Sequence, residues 1–137
     1  LINDYAFRNC IGWTSVILPN TVTTINKHVF NVCNNVTFYT EYASRPSDWN
    51  GHWNSSYRPV VYGCVLSEDA SYVIYVQKGT ISNLTSNTTL SDPIRDGYTF
   101  VGWGNSATAE TPSYTSANLS EADNGRKLYA IWAEEQI

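Results

Sequence analysis

The stretch that decides the fold is residues 2–19, INDYAFRNCIGWTSVILP, because much of it returns at residues 25–37, INKHVFNVCNNVT. Each repeated residue is displaced by the same interval, 25 − 2 = 23. The repeated pairs are Ile2 and Ile25, Phe7 and Phe30, Cys10 and Cys33, and Thr14 and Thr37. Self-similarity at a period of about 20–50 residues is typical of a solenoid, in which each unit buries its apolar side chains against a neighbour.

Each repeat predicts one coil, made of a short strand, a turn and a short helical segment. The inward residues of the first coil are Ile2, Phe7, Cys10, Trp13, Val16 and Leu18, and those of the second are Ile25, Phe30, Cys33 and Val36. No third unit is expected, because the interval places a proline at 19 + 23 = 42, where the chain has Tyr42. The array is therefore predicted to end here.

Residues 42–64 predict a loop-like cap over the last coil, punctuated by Pro46, Gly51 and Pro59. Trp49, Trp53 and Tyr57 are its large apolar side chains, and a terminal coil needs such a cover. The alternative is that these three residues form a ligand-binding platform that stacks on sugar rings.

Cys10 and Cys33 are expected at equivalent positions of adjacent coils, about 5 Å apart if the coils pair like strands. A disulfide is conceivable there, whereas a column of buried free thiols is the simpler interpretation, since free cysteine packs as a small hydrophobe.

At residues 2–19 the sequence resembles the BspA-type leucine-rich repeat of bacterial surface proteins, over two units. The resemblance implies a curved solenoid whose strand face or flank binds a large partner, and it implies no catalysis. Residues 42–64 also resemble the end of such arrays.

After residue 64, period-2 alternation predicts strands in SYVIYVQKG (71–79), GYTFVGW (97–103) and RKLYAIW (126–132). Asp96-Gly97 predicts a tight turn, and residues 120–123 a short helical turn. The Gly-Tyr-x-Phe-x-Gly-Trp and Leu-Tyr-Ala-x-Trp elements are similar to the Listeria–Bacteroides repeat, also described as the internalin B-repeat. That resemblance implies a small β-grasp-like module acting as spacer and adhesive unit.

The predicted fold class is α+β and β-dominated: terminal leucine-rich repeats and cap over residues 1–64, a B-repeat-like β module over 65–133 and a tail at 134–137. The net charge is −4 and the eight lysines and arginines are scattered, which argues against a nucleic-acid partner. No apolar run of about 18 residues predicts membrane insertion. His28 and His52 lack metal-like spacing, and no nucleophile elbow, phosphate loop or dinucleotide fingerprint is present, so no metal, cofactor or catalytic residue is predicted.

We therefore expect a piece of a longer bacterial protein, secreted or attached to the cell wall, that binds an extracellular protein or glycan by multivalent contact and is not an enzyme. The alternatives are a carbohydrate-binding region of a larger extracellular enzyme and a passive stalk. The sequence leaves the ligand and the oligomeric state open.

Overall fold

The computed structural model describes residues 2–7, 10, 12–76, 81–84 and 90–135 of the chain. Within them the strands are β1 (Ser15–Leu18), β2 (Thr37–Thr40), β3 (Val60–Val61), β4 (Cys64–Leu66), β5 (Val73–Val76), β6 (Ile81–Ser82), β7 (Tyr98–Gly104) and β8 (Leu128–Glu134). They form sheet A, in the order β1-β2-β3-β6, and sheet B, in the order β4-β5-β8-β7. The helical part of the described chain is one 3-10 turn, Glu121–Asp123. The β-dominated class is thus confirmed.

The first three strands of sheet A run parallel, with Phe38 of β2 opposite Val60 of β3. Isolated parallel bridges join Ile2 to Ile25 and Ile25 to Trp49, and the two intervals, 25 − 2 = 23 and 49 − 25 = 24, are nearly equal. The expectation that no third unit follows residue 41 is therefore wrong for the backbone. The third segment continues the stacking with tryptophan at the isoleucine position, which hides the unit from a sequence pattern.

The helical segments predicted for the coils are wrong for the described residues, because tight turns stand in their place. The turns are closed by single hydrogen bonds, such as the one from the Asn31 amide to the His28 carbonyl at 3.2 Å. Tyr5, His28 and Val32 have φ of 57°, 55° and 60°. A right-handed helix cannot continue through a left-handed residue, so each turn ends after a few residues.

Strand β2 contributes side chains to two different cores. Phe38 packs with Phe30, Trp49, Trp53 and neighbouring apolar groups in the first core. Tyr39, one residue later, packs in the second core. Since successive side chains of a strand point to opposite faces, sheet A is covered by apolar packing on both sides.

The second core draws on both sheets. It contains Tyr39, Val61, Cys64, Val73, Val76, Ile81, Leu84, Leu90, Trp103, Leu119 and Leu128. The predicted strands around GYTFVGW and RKLYAIW are confirmed as β7 and β8, which pair antiparallel. The predicted strand at 71–79 is confirmed as β5 over Val73–Val76, with Val73 and Val76 both buried, and its pairing with β4 shifts register between Val65 and Leu66. The residues at 77–79 of that predicted strand lie outside the described residues.

Strands β4 (Cys64–Leu66) and β8 (Leu128–Glu134) cross the predicted module boundaries, and β6 pairs across the first of them. β6 lies in the predicted second module and pairs antiparallel with β3 of the first. At the other end, Glu134 is still part of β8 and pairs with Tyr98. The boundaries after residues 64 and 133 stay predictions, as do the solenoid and β-grasp descriptions.

Candidate functional site

The three aromatic residues predicted to bind ligand differ in exposure. Trp49 and Trp53 have 0% and 3% of their surface exposed, whereas Tyr57 has 76%. The two indole rings pack edge to face with centroids 5.1 Å apart. Stacking on a sugar requires an open ring face, which Tyr57 has and the two tryptophans lack.

Trp49 is held on every side by its neighbours. Its indole Nε1 donates to the carbonyl of Val22 at 3.2 Å, and the ring of Tyr42 lies edge to face at 5.4 Å. The guanidinium of Arg45 donates to the Trp49 carbonyl. The indole thus has a satisfied polar atom and covered faces, as a core side chain requires.

A stack of three rings runs along the turn side of the coils and is called here the aromatic ladder: Tyr5, His28 and His52. The Tyr5 and His28 rings are stacked at 5.5 Å and 22°, and the His28 and His52 rings at 5.9 Å and 20°. The amide of His28 also donates to the His52 carbonyl at 3.0 Å. Tyr5 is 45% exposed, His28 half-buried and His52 exposed, so the ladder is a solvent-facing surface.

The equivalence of Tyr5 and His28 was predictable from the repeat interval, but the place of His52 was missed. The interval from His28 is 52 − 28 = 24, the same as from Ile25 to Trp49. The signal was present in the sequence. It was obscured because the third unit has Trp49 at the position where the first two have Ile2 and Ile25.

The outward face of β1 and β2 is covered by the segment around Ser91. The Ser91 amide donates to Thr37 Oγ1 at 2.9 Å, and the Ser15 and Ser91 hydroxyls are 2.7 Å apart. The Tyr39 hydroxyl donates to the Ser91 carbonyl. Thr37 and Tyr39 are both fully buried, and burial raises the pKa of the Tyr39 phenol. This strand face is therefore occupied from within the chain.

An apolar groove of about 570 Å³ lies beside β1. Trp13, 40% exposed, and Ile94, 58% exposed, stand at its margin, with Phe7 and Val16 half-buried below.

Charged groups on sheet B are engaged with aromatic rings. The guanidinium of Arg95 lies 3.8 Å from the ring centroid of Tyr98 and 4.8 Å from that of Tyr72. On the same sheet the ammonium of Lys127 lies 5.1 Å from the Tyr75 ring. Such cation–π contacts fix long side chains against the sheet.

Acidic and thiol groups build no metal site in the part of the chain that is described. There, no three of its histidine, cysteine, aspartate and glutamate side chains are grouped so as to hold a metal ion. The pKa of the exposed Asp69 carboxyl is lowered by hydrogen bonds from Ser71 and Ser67. Burial raises the pKa of Cys64, whose thiol donates to the Val61 carbonyl at 3.3 Å. Within the described residues, no helix has both the length and the apolar character needed to cross a membrane.

Residues 1–46 match the family model described as "BspA type Leucine rich repeat region (6 copies)". Repeats of this type are typical of bacterial surface or secreted proteins. Their presence suggests a role in protein interaction, and families that contain them are generally non-catalytic. The match supports the resemblance found at residues 2–19. No curated protein and no solved structure matches the chain.

Proposed function

We propose that the chain is a non-catalytic adhesion or interaction fragment of a bacterial surface or secreted protein, and that it binds an extracellular protein. The observation that carries the proposal is the match of residues 1–46 to BspA-type repeats. Leucine-rich repeats of this kind suggest a role in binding other proteins. Its outer location, secreted or attached to the cell wall, is part of the same proposal.

The contact surface in this proposal is the aromatic ladder. Large, amphipathic rings are enriched where proteins bind one another, because they supply much contact area for few rotatable bonds. The outward face of β1 and β2 offers no such surface, since Thr37 and Tyr39 are fully buried beneath the Ser91 segment. The ladder is solvent-facing along three successive turns.

Residues 65–133 are proposed to be the B-repeat-like, β-grasp-like module of the fragment, and residues 1–64 the end of a leucine-rich solenoid with its cap. The parallel pairing of β1, β2 and β3 supports the solenoid. The antiparallel pair β7–β8, built from the two sequence elements that resemble the B-repeat, supports the second module. Many weak modules of this kind on one surface raise the effective concentration of contacts.

A binding experiment with the whole chain tests the proposal. Immobilised chain is exposed to a panel of purified host extracellular-matrix proteins, and in parallel to a glycan array. We expect at least one matrix protein to bind, and the double variant Tyr5→Ser, His52→Ser to weaken binding at least tenfold. Ile74→Ser is the matched control, because Ile74 is also exposed, at 40%, but lies in β5 of sheet B. Binding that survives the ladder variant and is lost in the control would contradict the assigned surface.

Carbohydrate binding remains the second candidate because Tyr57 is the most exposed of the large apolar side chains identified in the described residues. A glycan response that disappears in Tyr57→Ala would favour it over the protein partner. A chain that binds nothing on either panel would favour the passive stalk.

A further inference from the structure

Cys10 and Cys33 occupy equivalent positions in the first two coils. Their neighbours are paired across the coils: Ile2 bridges to Ile25, and the rings of Phe7 and Phe30 stack with centroids 5.5 Å apart. Adjacent chains in such a stack lie about 4.8 Å apart. A disulfide requires Cα atoms about 4.4–6.8 Å apart, so the stacking places both cysteines within its reach.

The two thiol groups also meet in the structure. The Sγ of Cys33 donates to the carbonyl of Phe7 at 3.1 Å, which directs it toward the first coil. It contacts both the backbone and the side chain of Cys10, and burial, together with the neighbouring thiol, raises the pKa of Cys33. All three cysteines, Cys64 included, are free here.

The access of solvent to the three thiols differs. Cys10 is half-buried, whereas Cys33 and Cys64 have 0% and 4% of their surface exposed. Cys64 packs in the second core and its thiol donates to Val61. Cys10 is therefore the thiol that an external oxidant can reach, and Cys33 is the thiol placed to resolve the product.

We propose that Cys10 and Cys33 form a reversible disulfide that locks the first coil to the second in an oxidising environment. The oxidant is a low-molecular-weight disulfide such as oxidised glutathione. The Cys10 thiolate attacks one of its sulfurs and releases one glutathione thiolate, which leaves a mixed disulfide on Cys10. The Cys33 sulfur then attacks the Cys10 sulfur, which forms the Cys10–Cys33 bond and breaks the bond to glutathione, and the Cys33 proton passes to the departing glutathione thiolate.

The first coil is the part of the fold that gains most from such a link. Its residues Ile2, Phe7 and Val16 are half-buried and line an apolar groove. Ile25 and Phe30, the counterparts of Ile2 and Phe7 in the second coil, are buried. A disulfide stabilises a fold mainly by restricting the unfolded chain, and the bond here closes a loop that is one repeat long. Oxidation is thus expected to hold the less buried first coil in place.

The experiment uses the full chain, reduced and then incubated folded with oxidised glutathione as the probe. We expect free thiols to fall from three to one, the intact mass to decrease by two hydrogen atoms, and a digest to contain Cys10 linked to Cys33. We also expect the melting temperature to rise by roughly 5 °C or more and to return on reduction.

Two variants keep the test decisive. Cys10→Ser is mild because Cys10 is half-buried, and it should abolish the link while leaving the reduced melting temperature nearly unchanged. Cys64→Ala should still form the link. Persistence of three free thiols, a stable mixed disulfide on Cys10 without intramolecular product, or a link to Cys64 would each overturn the proposal.

Discussion

Replacing Trp49 by alanine should destabilise the protein strongly. Its side chain is 0% exposed and lies between Tyr42 and Trp53, with ring centroids 5.4 and 5.1 Å away. A buried tryptophan removes roughly 150–250 Å² from water, and at about 25 cal/mol per Å² this contributes about 4–6 kcal/mol as an upper bound. The variant also leaves the Val22 carbonyl without the indole donor.

Allowing for partial collapse of the cavity, we expect Trp49→Ala to lower the free energy of unfolding by about 3–5 kcal/mol. Urea titration followed by far-UV circular dichroism measures it, because that signal does not depend on the remaining tryptophans. Tyr57→Ala is the matched control: its ring is 76% exposed, and the change should lie within about 0.5 kcal/mol. A loss below about 1 kcal/mol for Trp49→Ala would refute the core role of this residue.

Three further changes probe separate features of the fold. Tyr39→Phe removes the hydroxyl that bonds the Ser91 carbonyl and should cost about 1–2 kcal/mol in the same titration; an unchanged midpoint would argue against that bond. Gly102→Ala places a Cβ 2.8 Å from a backbone oxygen and should cost about 1–3 kcal/mol, whereas Gly51→Ala, with nothing within 4 Å, should be nearly neutral in thermal melts. Burial raises the pKa of Cys64, so this thiol stays neutral in the folded protein at a pH where it ionises in the unfolded chain. The free energy of unfolding should therefore fall as pH rises above about 8.5, by up to about 1.4 kcal/mol per pH unit. Cys64→Ala should remove that part of the pH dependence.

The pairing of the first two coils could be predicted from the repeat, and Ile2 does bridge to Ile25 at its interval of 23. The register of β1 and β2 is one residue different, since Thr37 pairs with Ser15 and not with Thr14. The third parallel strand could not be predicted. Its bridge residue is Trp49 where the earlier coils have Ile2 and Ile25, so the backbone repeats although the side chains differ. A repeat is recognised in a sequence by its residue types, so a segment with the same backbone path but different core side chains is not recognised.

The backbone conformation of the turns could not be predicted from the sequence either. Tyr5, His28 and Val32 adopt left-handed φ, a conformation more commonly supplied by glycine or asparagine. Nothing in these residue types predicts it, and a short helical segment was the natural expectation. The stacking along the turns supports these conformations, which is a tertiary effect.

The exposure of the candidate site residues could not be predicted from the sequence for a similar reason. Trp49, Trp53 and Tyr57 were grouped because they are large aromatic residues in one loop, but the stacking of the third segment buries two of them and exposes the third. The covering of β2 by Ser91 depends on a contact between Thr37 and Ser91, which lie far apart along the chain, and no local pattern encodes it.

The most direct test of this account is hydroxyl-radical footprinting of the folded full chain, read residue by residue by mass spectrometry. The central claim is that the outward face of β2 is covered from within the chain while the aromatic ladder faces solvent. We predict that Tyr39 is strongly protected and that Tyr5 and His52 are readily oxidised. Oxidation of Tyr39 at the rate of an exposed tyrosine, with the ladder protected, would contradict it.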